Sequence, residues 1–169
     1  PGPYWYRVVA VYDDSLRSAT SAYGRGYRLV TNSEFLVAFD RTTVGPSQDR
    51  IGLLQDKALG TETVAGEVSG TCKYDADLGS GTAIVDLTYS NYCDDYLTAD
   101  GVMTTEVGWI SRDGDVSGTL TVSGIYSGTV GYHITVDNEV PNGGYYRVTQ
   151  TGQASEDVTF ASVAGQLGY

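Results

Sequence analysis

The chain has 169 residues, with 21 acidic against 10 basic side chains and a formal net charge of -11 at pH 7. This length suits one domain, and the acidic balance argues against nucleic acid or an anionic membrane as partner, because phosphate groups bind to basic surfaces. No apolar run approaches the roughly 18–20 residues of a membrane-spanning helix. An aromatic content of 11% and many β-branched residues argue against a disordered chain despite the net charge.

The N-terminal segment 3–12 predicts the first strand. Tyr4, Trp5 and Tyr6 give that strand aromatic side chains on both faces, because neighbouring strand residues point in opposite directions. Such a strand needs cover on two sides, either from its own chain or from a neighbouring subunit. We therefore name these three residues as a candidate assembly interface. Segment 3–12 is then a detachable strand that completes the sheet edge of another copy.

The start of the chain gives a further expectation. The sequence begins at Pro1, and Met103 is its only methionine. We expect from this a processed or partial chain, which fits export.

Alternation of apolar and polar residues predicts antiparallel strands with one packed and one solvated face. In one clear case, Val130, Tyr132, Ile134 and Val136 alternate with small or polar residues. Ten strands are predicted near residues 4–12, 26–31, 34–40, 62–72, 82–91, 102–110, 116–123, 128–137, 144–151 and 157–163. We expect one all-β domain over residues 1–169, an antiparallel β-sandwich or barrel of about ten strands with at most one or two short helices.

Two kinds of signal interrupt the strands. The apolar residues of segment 49–59 predict a short helix that ends at Gly60. Gly, Asn and Asp favour tight turns, and the predicted turns are Thr31-Asn32-Ser33, Asp100-Gly101, Asp113-Gly114 and Asn142-Gly143-Gly144.

Two cysteines, Cys72 and Cys93, flank a turn rich in Gly and Asp. With one histidine and no further cysteine, Cys and His alone do not supply four zinc ligands. The pattern favours a structural disulfide, which would stabilise the fold by about 3 kcal/mol. A hairpin centred near Ser80 would place Cys72 opposite residue 88. A bridge to Cys93 therefore requires either a β-bulge or a segment just beyond the second strand that folds back towards Cys72.

Aspartates gather around the same two cysteines. Asp75 and Asp77 follow the first, and Asp94 and Asp95 follow the second. Calcium takes oxygen ligands from such loops, so these four residues are candidate calcium ligands, and calcium is the one cofactor considered. The alternative is that they cap backbone N–H groups in turns and keep the protein soluble.

No catalytic constellation stands out. His133 is the only histidine, it lies on the polar side of its strand, and no Gly-x-Ser-x-Gly motif accompanies it. Asp86, Glu106 and Asp137 lie in predicted strands, and glycoside hydrolysis needs only two carboxylates at a set separation. One sequence does not select a pair among 21 acidic residues. We expect no enzyme, and a small glycosidase-like activity is the catalytic alternative.

A resemblance covers residues 70–94. The segment Gly70-Thr71-Cys72, followed by alternating Thr and Val residues and then Tyr89-Ser90-Asn91-Tyr92-Cys93-Asp94, resembles a Cys-bracketed hairpin in uncharacterised exported β-proteins of Gram-negative bacteria. The resemblance implies an extracellular or cell-surface location.

These features lead to one functional expectation and one alternative. We expect an exported structural protein, a filament or surface-layer subunit of a cell-surface or extracellular assembly, whose partners are other copies of itself. The alternative is a carbohydrate-binding module that uses exposed Tyr or Trp side chains as a platform for glycans.

Overall fold

The computed structural model describes residues 4–6, 24–26, 30–54 and 60–169, with side chains for residues 30–51 and 60–169. Two short strands, β1 (Tyr4–Tyr6) and β2 (Gly24–Gly26), pair with each other in antiparallel fashion. The other strands form one sheet: β3 (Thr61–Ala65), β4 (Ser69–Leu78), β5 (Thr82–Cys93), β6 (Leu97–Gly108), β7 (Gly114–Gly124), β8 (Gly128–Asp137), β9 (Val140–Gln150) and β10 (Glu156–Thr159).

This main sheet is an open antiparallel meander of eight strands. Each strand pairs with its neighbours in sequence, so the order across the sheet runs from β10 at one edge to β3 at the other. The predicted antiparallel all-β character is confirmed. The predicted sandwich or barrel of ten strands is wrong, because helices occupy the place where a second sheet would pack.

The helices lie before and after the meander. Helix α1 (Asn32–Phe39) continues through a π-helical segment (Asp40–Val44) into α2 (Gly45–Leu54), and α3 (Phe160–Leu167) follows β10. Among the described residues, no helix has the length and apolar character that a membrane crossing requires.

One face of the sheet packs against these helices, and we call it the covered face. In β8 it presents Val130, Tyr132 and Ile134, which are buried, while His133 and Thr135 between them are exposed. A single hydrophobic core joins the covered face to all three helices, through side chains that include Phe35, Phe39, Val44, Ile51, Phe160 and Val163. The opposite face, called the open face, carries the polar half of the alternating pattern.

The predicted strand 34–40 is wrong, since this segment forms α1. The Thr31 side chain accepts a hydrogen bond from the backbone N–H of Glu34, and the Glu34 carboxylate accepts one from the N–H of Thr31 at 2.9 Å. This capping box starts a helix at the residues that were predicted to form a turn. A short, wholly apolar run such as residues 35–39 does not by itself distinguish a buried strand from a buried helix.

Other boundaries also moved. The predicted strand 62–72 is two strands, β3 and β4, with a turn at 66–68 between them, and the predicted strand 157–163 becomes helix α3 from Phe160. The predicted helix 49–59 starts earlier, at Gly45, and residues 55–59 lie outside the described residues. The predicted strand 128–137 has the observed bounds of β8.

Two predicted turns lie inside strands. Gly101 lies in β6, where it pairs with Leu120, and residues 142–144 lie in β9. The turn between β8 and β9 is formed instead by Asn138 and Glu139, which have φ of 50° and 68°. Such positive φ values at both central residues are those of a tight hairpin turn.

The predicted N-terminal strand is described only in part. In the described residues, Trp5 pairs with Arg25 of the same chain, within β1 and β2. Residues 7–12, and residues 27–29 of the predicted strand 26–31, lie outside the described residues. Detachment of segment 3–12 therefore stays a prediction.

Candidate functional site

A row of side chains across the covered face forms the floor of the candidate site. The register of strands β5 to β9 places Leu87, Met103, Gly118, Tyr132 and Tyr146 side by side. Four of these residues carry large side chains, and the middle one carries none. The row therefore has a gap in its centre.

Gly118 cannot be replaced by a larger residue without moving its neighbours. Its φ is +142°, and a Cβ there would lie 2.8 Å from Cα of Met103 and closer still to the carbonyl oxygen of Val102. Only glycine adopts this backbone conformation readily. The absence of a side chain at Gly118 therefore accounts both for the close approach of the strands and for the gap in the row.

The helical run that packs on the covered face contributes Asp40 and Gln48. Asp40 opens the π-helical segment, in which the N–H of Gly45 donates to the carbonyl oxygen of Asp40, five residues back. π-Helical turns are rare and often occur at functional sites. Asp40 and Gln48 reach the same cavity from this helical run.

A cavity of about 60 Å³ lies between the helices and the row, and we call it the inner cavity. Its polar lining comes from Asp40, Gln48, Thr105, Tyr132, Tyr146 and Tyr169. A buried water needs about 10–15 Å³ of such space. The inner cavity therefore has room for a few waters or for one small polar group.

Tyr132 is the most unusual member of this lining. Its side chain is 4% exposed, and its hydroxyl has no hydrogen-bond partner among the described residues. The ring packs edge-on against Tyr146, with centroids 5.4 Å apart. A buried hydroxyl without a partner is uncommon in proteins and calls for an explanation such as a bound molecule.

Asp40 supplies the only side-chain carboxylate among the described residues that line the inner cavity. Burial raises the pKa of Asp40 from 3.8 to about 6, and the nearby Arg41 opposes this rise. Arg41 itself is exposed and donates to the carbonyl oxygen of Gln166 at 3.0 Å. At neutral pH the carboxylate is mostly ionised, so the inner cavity carries a negative charge.

A second and larger cavity adjoins the first, and we call it the outer cavity. It has a volume of about 260 Å³, shares Gln48 and Thr105 with the inner cavity, and is otherwise lined by Ile51, Tyr74, Val85 and Leu87. Its lining is mainly apolar. The two cavities together offer a polar inner end and an apolar outer part.

Beyond Val85 lies a third hollow of about 610 Å³, which we call the end hollow. Trp109 lines it and is 50% exposed. The indole N–H of Trp109 donates to the carbonyl oxygen of Gly79 at 3.1 Å, which holds the ring in place. The end hollow extends the apolar surface outwards from the outer cavity.

The cysteines predicted to form a disulfide are both buried, free thiols in the structure. Cys72 lies opposite Tyr89 on the covered face, where its thiol bonds to Tyr89 and Ser47 and burial raises its pKa to about 11. Tyr92 belongs to the core, so its strand neighbour Cys93 points to the open face. Side chains on opposite faces cannot bridge without backbone movement. The two thiols are therefore not bonded to each other in this arrangement, and the disulfide stays a prediction.

The candidate calcium ligands Asp75 and Asp77 lie within β4 and not in a turn. The Asp75 carboxylate accepts a hydrogen bond from the Thr61 hydroxyl at 2.9 Å and pairs with Lys73 at 2.9 Å. These bonds lower the pKa of Asp75. The side chain is thus already engaged in linking β3 to β4.

Asp94 and Asp95 lie far from the first pair, in the turn after β5. Asp94 pairs with Arg50 of α2 at 2.9 Å and accepts a hydrogen bond from the Tyr92 hydroxyl at 2.7 Å. Cys93, the residue before Asp94, pairs with Ser69 at the start of β4. At roughly 3.3 Å per residue along the strand, Ser69 lies about 20 Å from Asp75. The structure does not bring the four aspartates together, and the described residues contain no group of three or more metal-binding side chains.

The other residues considered for chemistry lie on the open face. His133 is exposed and stacks on Tyr145 with ring centroids 5.0 Å apart. Asp86 accepts a hydrogen bond from Thr104, and Glu106 lies opposite Asp115. None of these residues lines the cavities on the covered face.

The sequence interpretation did not identify the polar end of the inner cavity. It placed Tyr132 correctly on the packed side of its strand, but it put Asp40 at the end of a predicted strand. The Thr31-x-x-Glu34 capping box was the available signal, because it marks the start of a helix that would continue through Asp40.

Comparison of the chain with family models, with curated proteins and with solved structures finds no match. The functional argument therefore rests on the geometry of the covered face.

Proposed function

We propose that this protein binds a small molecule between its helices and the covered face of the sheet. The polar end of the molecule occupies the inner cavity, and its apolar part occupies the outer cavity. The observation that carries the proposal is Tyr132, which is a lining residue of the inner cavity and whose buried hydroxyl lacks a partner in the described structure. Leaving such a group unsatisfied costs about 1–3 kcal/mol, and a bound polar group would offset that cost.

The form of the site supports this proposal. Ligand sites of about 300–1,000 Å³ are usually apolar, with a few converging polar groups that fix the orientation of the ligand. The outer cavity of about 260 Å³ has apolar walls, and the adjoining inner cavity supplies the polar groups. A small molecule with a short apolar body fits this division.

A fluorescent probe tests the proposal. N-phenyl-1-naphthylamine is neutral at pH 7.5 and brightens in apolar sites. We expect its fluorescence to rise with the native protein. Val85→Trp, which fills the outer cavity, should weaken binding at least tenfold. Val102→Trp is the matched control, because Val102 lies on the open face of the neighbouring strand and is 42% exposed.

Two results would refute the proposal. One is the absence of any fluorescence rise with folded wild-type protein. The other is equal binding by both tryptophan variants, with circular dichroism confirming that both are folded.

Assembly into a filament or surface layer is a second candidate function. The open sheet favours it, because β3 and β10 at the two edges are each paired on one side only among the described strands. Unpaired edges accept an added strand from another chain. Light scattering at increasing concentration should show assembly by the full chain and none after deletion of residues 1–12. A strictly monomeric full chain would count against it.

Sugar binding through exposed aromatic side chains stays a prediction. Trp109 supports it most directly, since the ring is half exposed and lines the end hollow. A glycan array should then show binding that Trp109→Ala abolishes, and an array without any bound glycan would exclude the idea.

A further inference from the structure

The inner cavity has an acidic and aromatic lining. Besides apolar side chains, the described residues around it offer one side-chain carboxylate (Asp40), three tyrosines (Tyr132, Tyr146 and Tyr169), Gln48 and Thr105, with no Lys, Arg or His. A carboxylate or phosphate placed there would meet a like charge without a basic side chain to balance it. The lining therefore disfavours anionic ligands.

We infer that the polar end of the ligand is an organic ammonium group, carried on a short apolar body that lies in the outer cavity. This inference rests on the proposed function and names its ligand class. Ammonium groups are compact, so one fits a cavity of about 60 Å³.

The hydrogen-bonding capacity of the site supports an ammonium ion over an alcohol. A primary ammonium has three N–H donors, whereas an alcohol has one O–H donor. Asp40 and Tyr132 both line this cavity, so an ammonium group bound there has a carboxylate and a phenol oxygen as candidate acceptors. The Tyr132 hydroxyl has no other partner in the described structure.

The aromatic lining and the net charge act in the same direction. Tyrosine ring faces attract cations within about 6 Å, by about 0.5–2 kcal/mol depending on solvent exposure. The formal net charge of -11 raises the local concentration of cations near the protein. Both effects favour an organic cation over a neutral molecule of the same size.

The charge state of the site gives the inference a pH dependence. The charged or titratable groups near Asp40 are Arg41 in the same helical run, Tyr132 and Tyr146 from the sheet, and Tyr169 after α3. Burial raises the pKa of all three tyrosines, and arginine stays protonated, so none of the four changes charge between pH 5 and 8. Asp40 is the group that titrates, and its protonation should weaken ammonium binding below about pH 6.

A matched series of six-carbon ligands tests the inference by displacement of N-phenyl-1-naphthylamine. At pH 7.5, n-hexylamine is a cation, 1-hexanol is neutral and hexanoate is an anion. We expect hexylamine to displace the probe at a concentration at least tenfold lower than hexanol, with hexanoate weakest. At pH 5 the advantage of hexylamine over hexanol should shrink several-fold.

Two variants distinguish a local effect of the Asp40 carboxylate on ligand binding from the effect of the protein's overall negative charge. Asp40→Asn should remove the advantage of hexylamine over hexanol in displacing the probe. Asp137→Asn, at an exposed position on the open face, removes the same charge from the side of the sheet opposite the cavity and should leave the advantage unchanged.

The outcomes distinguish this inference from the proposed function. If hexanol or hexanoate displaces the probe as well as hexylamine does, or if Asp137→Asn acts like Asp40→Asn, the ammonium assignment is overturned and the binding function stands. Probe binding without displacement by any of the three ligands also overturns the assignment. If the probe itself does not bind, the proposed function fails.

Discussion

Replacing Asp40 with Asn should stabilise the ligand-free protein at pH 7.5, although the same change should weaken ammonium binding. Burial raises the pKa of Asp40 from 3.8 to about 6. At about 1.4 kcal/mol for each pH unit, ionisation in the folded state costs at most about 3 kcal/mol. Asp40 is only partly buried by exposed area, and asparagine also loses hydration there, so we expect a net gain of about 1–2 kcal/mol.

The sign of the effect follows from proton linkage. Below about pH 4 the carboxyl is mostly protonated in both the folded and the unfolded chain, so the two proteins should then differ by less than about 1 kcal/mol. As the pH rises towards 6, the unfolded chain loses this proton more readily than the folded chain. The wild type therefore loses stability relative to Asp40→Asn over this range.

Urea unfolding at pH 4, 5, 6 and 7.5, followed by circular dichroism, measures this difference. Comparing the two proteins at each pH cancels the contributions of the other carboxylates, and Asp137→Asn controls for the loss of one negative charge. A difference that does not change with pH would refute the reasoning. So would an Asp40→Asn protein that is less stable than the wild type at pH 7.5.

Three further predictions follow from the described contacts. Tyr132→Phe should raise the free energy of unfolding by about 1 kcal/mol, because the hydroxyl that it removes has no partner. Tyr89→Phe should lower the free energy of unfolding by about 1 kcal/mol, because it loses the 2.9 Å hydrogen bond to the buried Ser47 of α2. Gly70→Ala should cost at least about 2 kcal/mol, because φ is +68° and the added methyl would meet backbone of the neighbouring strand. Gly81→Ala should lower the free energy of unfolding by less than about 1 kcal/mol, because there is open space around Gly81. Urea unfolding measures the stability of all four variants. Both cysteines should react with a thiol reagent in denaturant without reductant, and the absence of reactive thiols would restore the predicted disulfide.

Much of the meander could be predicted from the sequence, because strand alternation is a local property. A side-chain period of two separates the packed face from the solvated face within a few residues. The pattern of residues 128–137 therefore predicted both the bounds of β8 and the packed position of Tyr132. The turn near Ser80 was also predictable, with Cys72 only one residue from its expected partner.

The layer that covers the sheet was decided by tertiary structure. Alternating strands show the same pattern whether a second sheet or a layer of helices packs on their apolar face. Residues 35–39 are apolar throughout, so they would be buried in either case, and their apolar pattern does not distinguish a strand from the helix that the Thr31–Glu34 capping box begins.

The candidate site depends on that same tertiary choice. Asp40 and Tyr132 are 92 positions apart in the chain, and no local pattern links a carboxylate on a helix to a hydroxyl on a strand. Packing of the helical run on the covered face brings them to one cavity. The sequence by itself determined which strand side chains face the core. Helix packing decided which of these side chains lie beside a charged group, because the surroundings of a buried side chain depend on the element that packs against it.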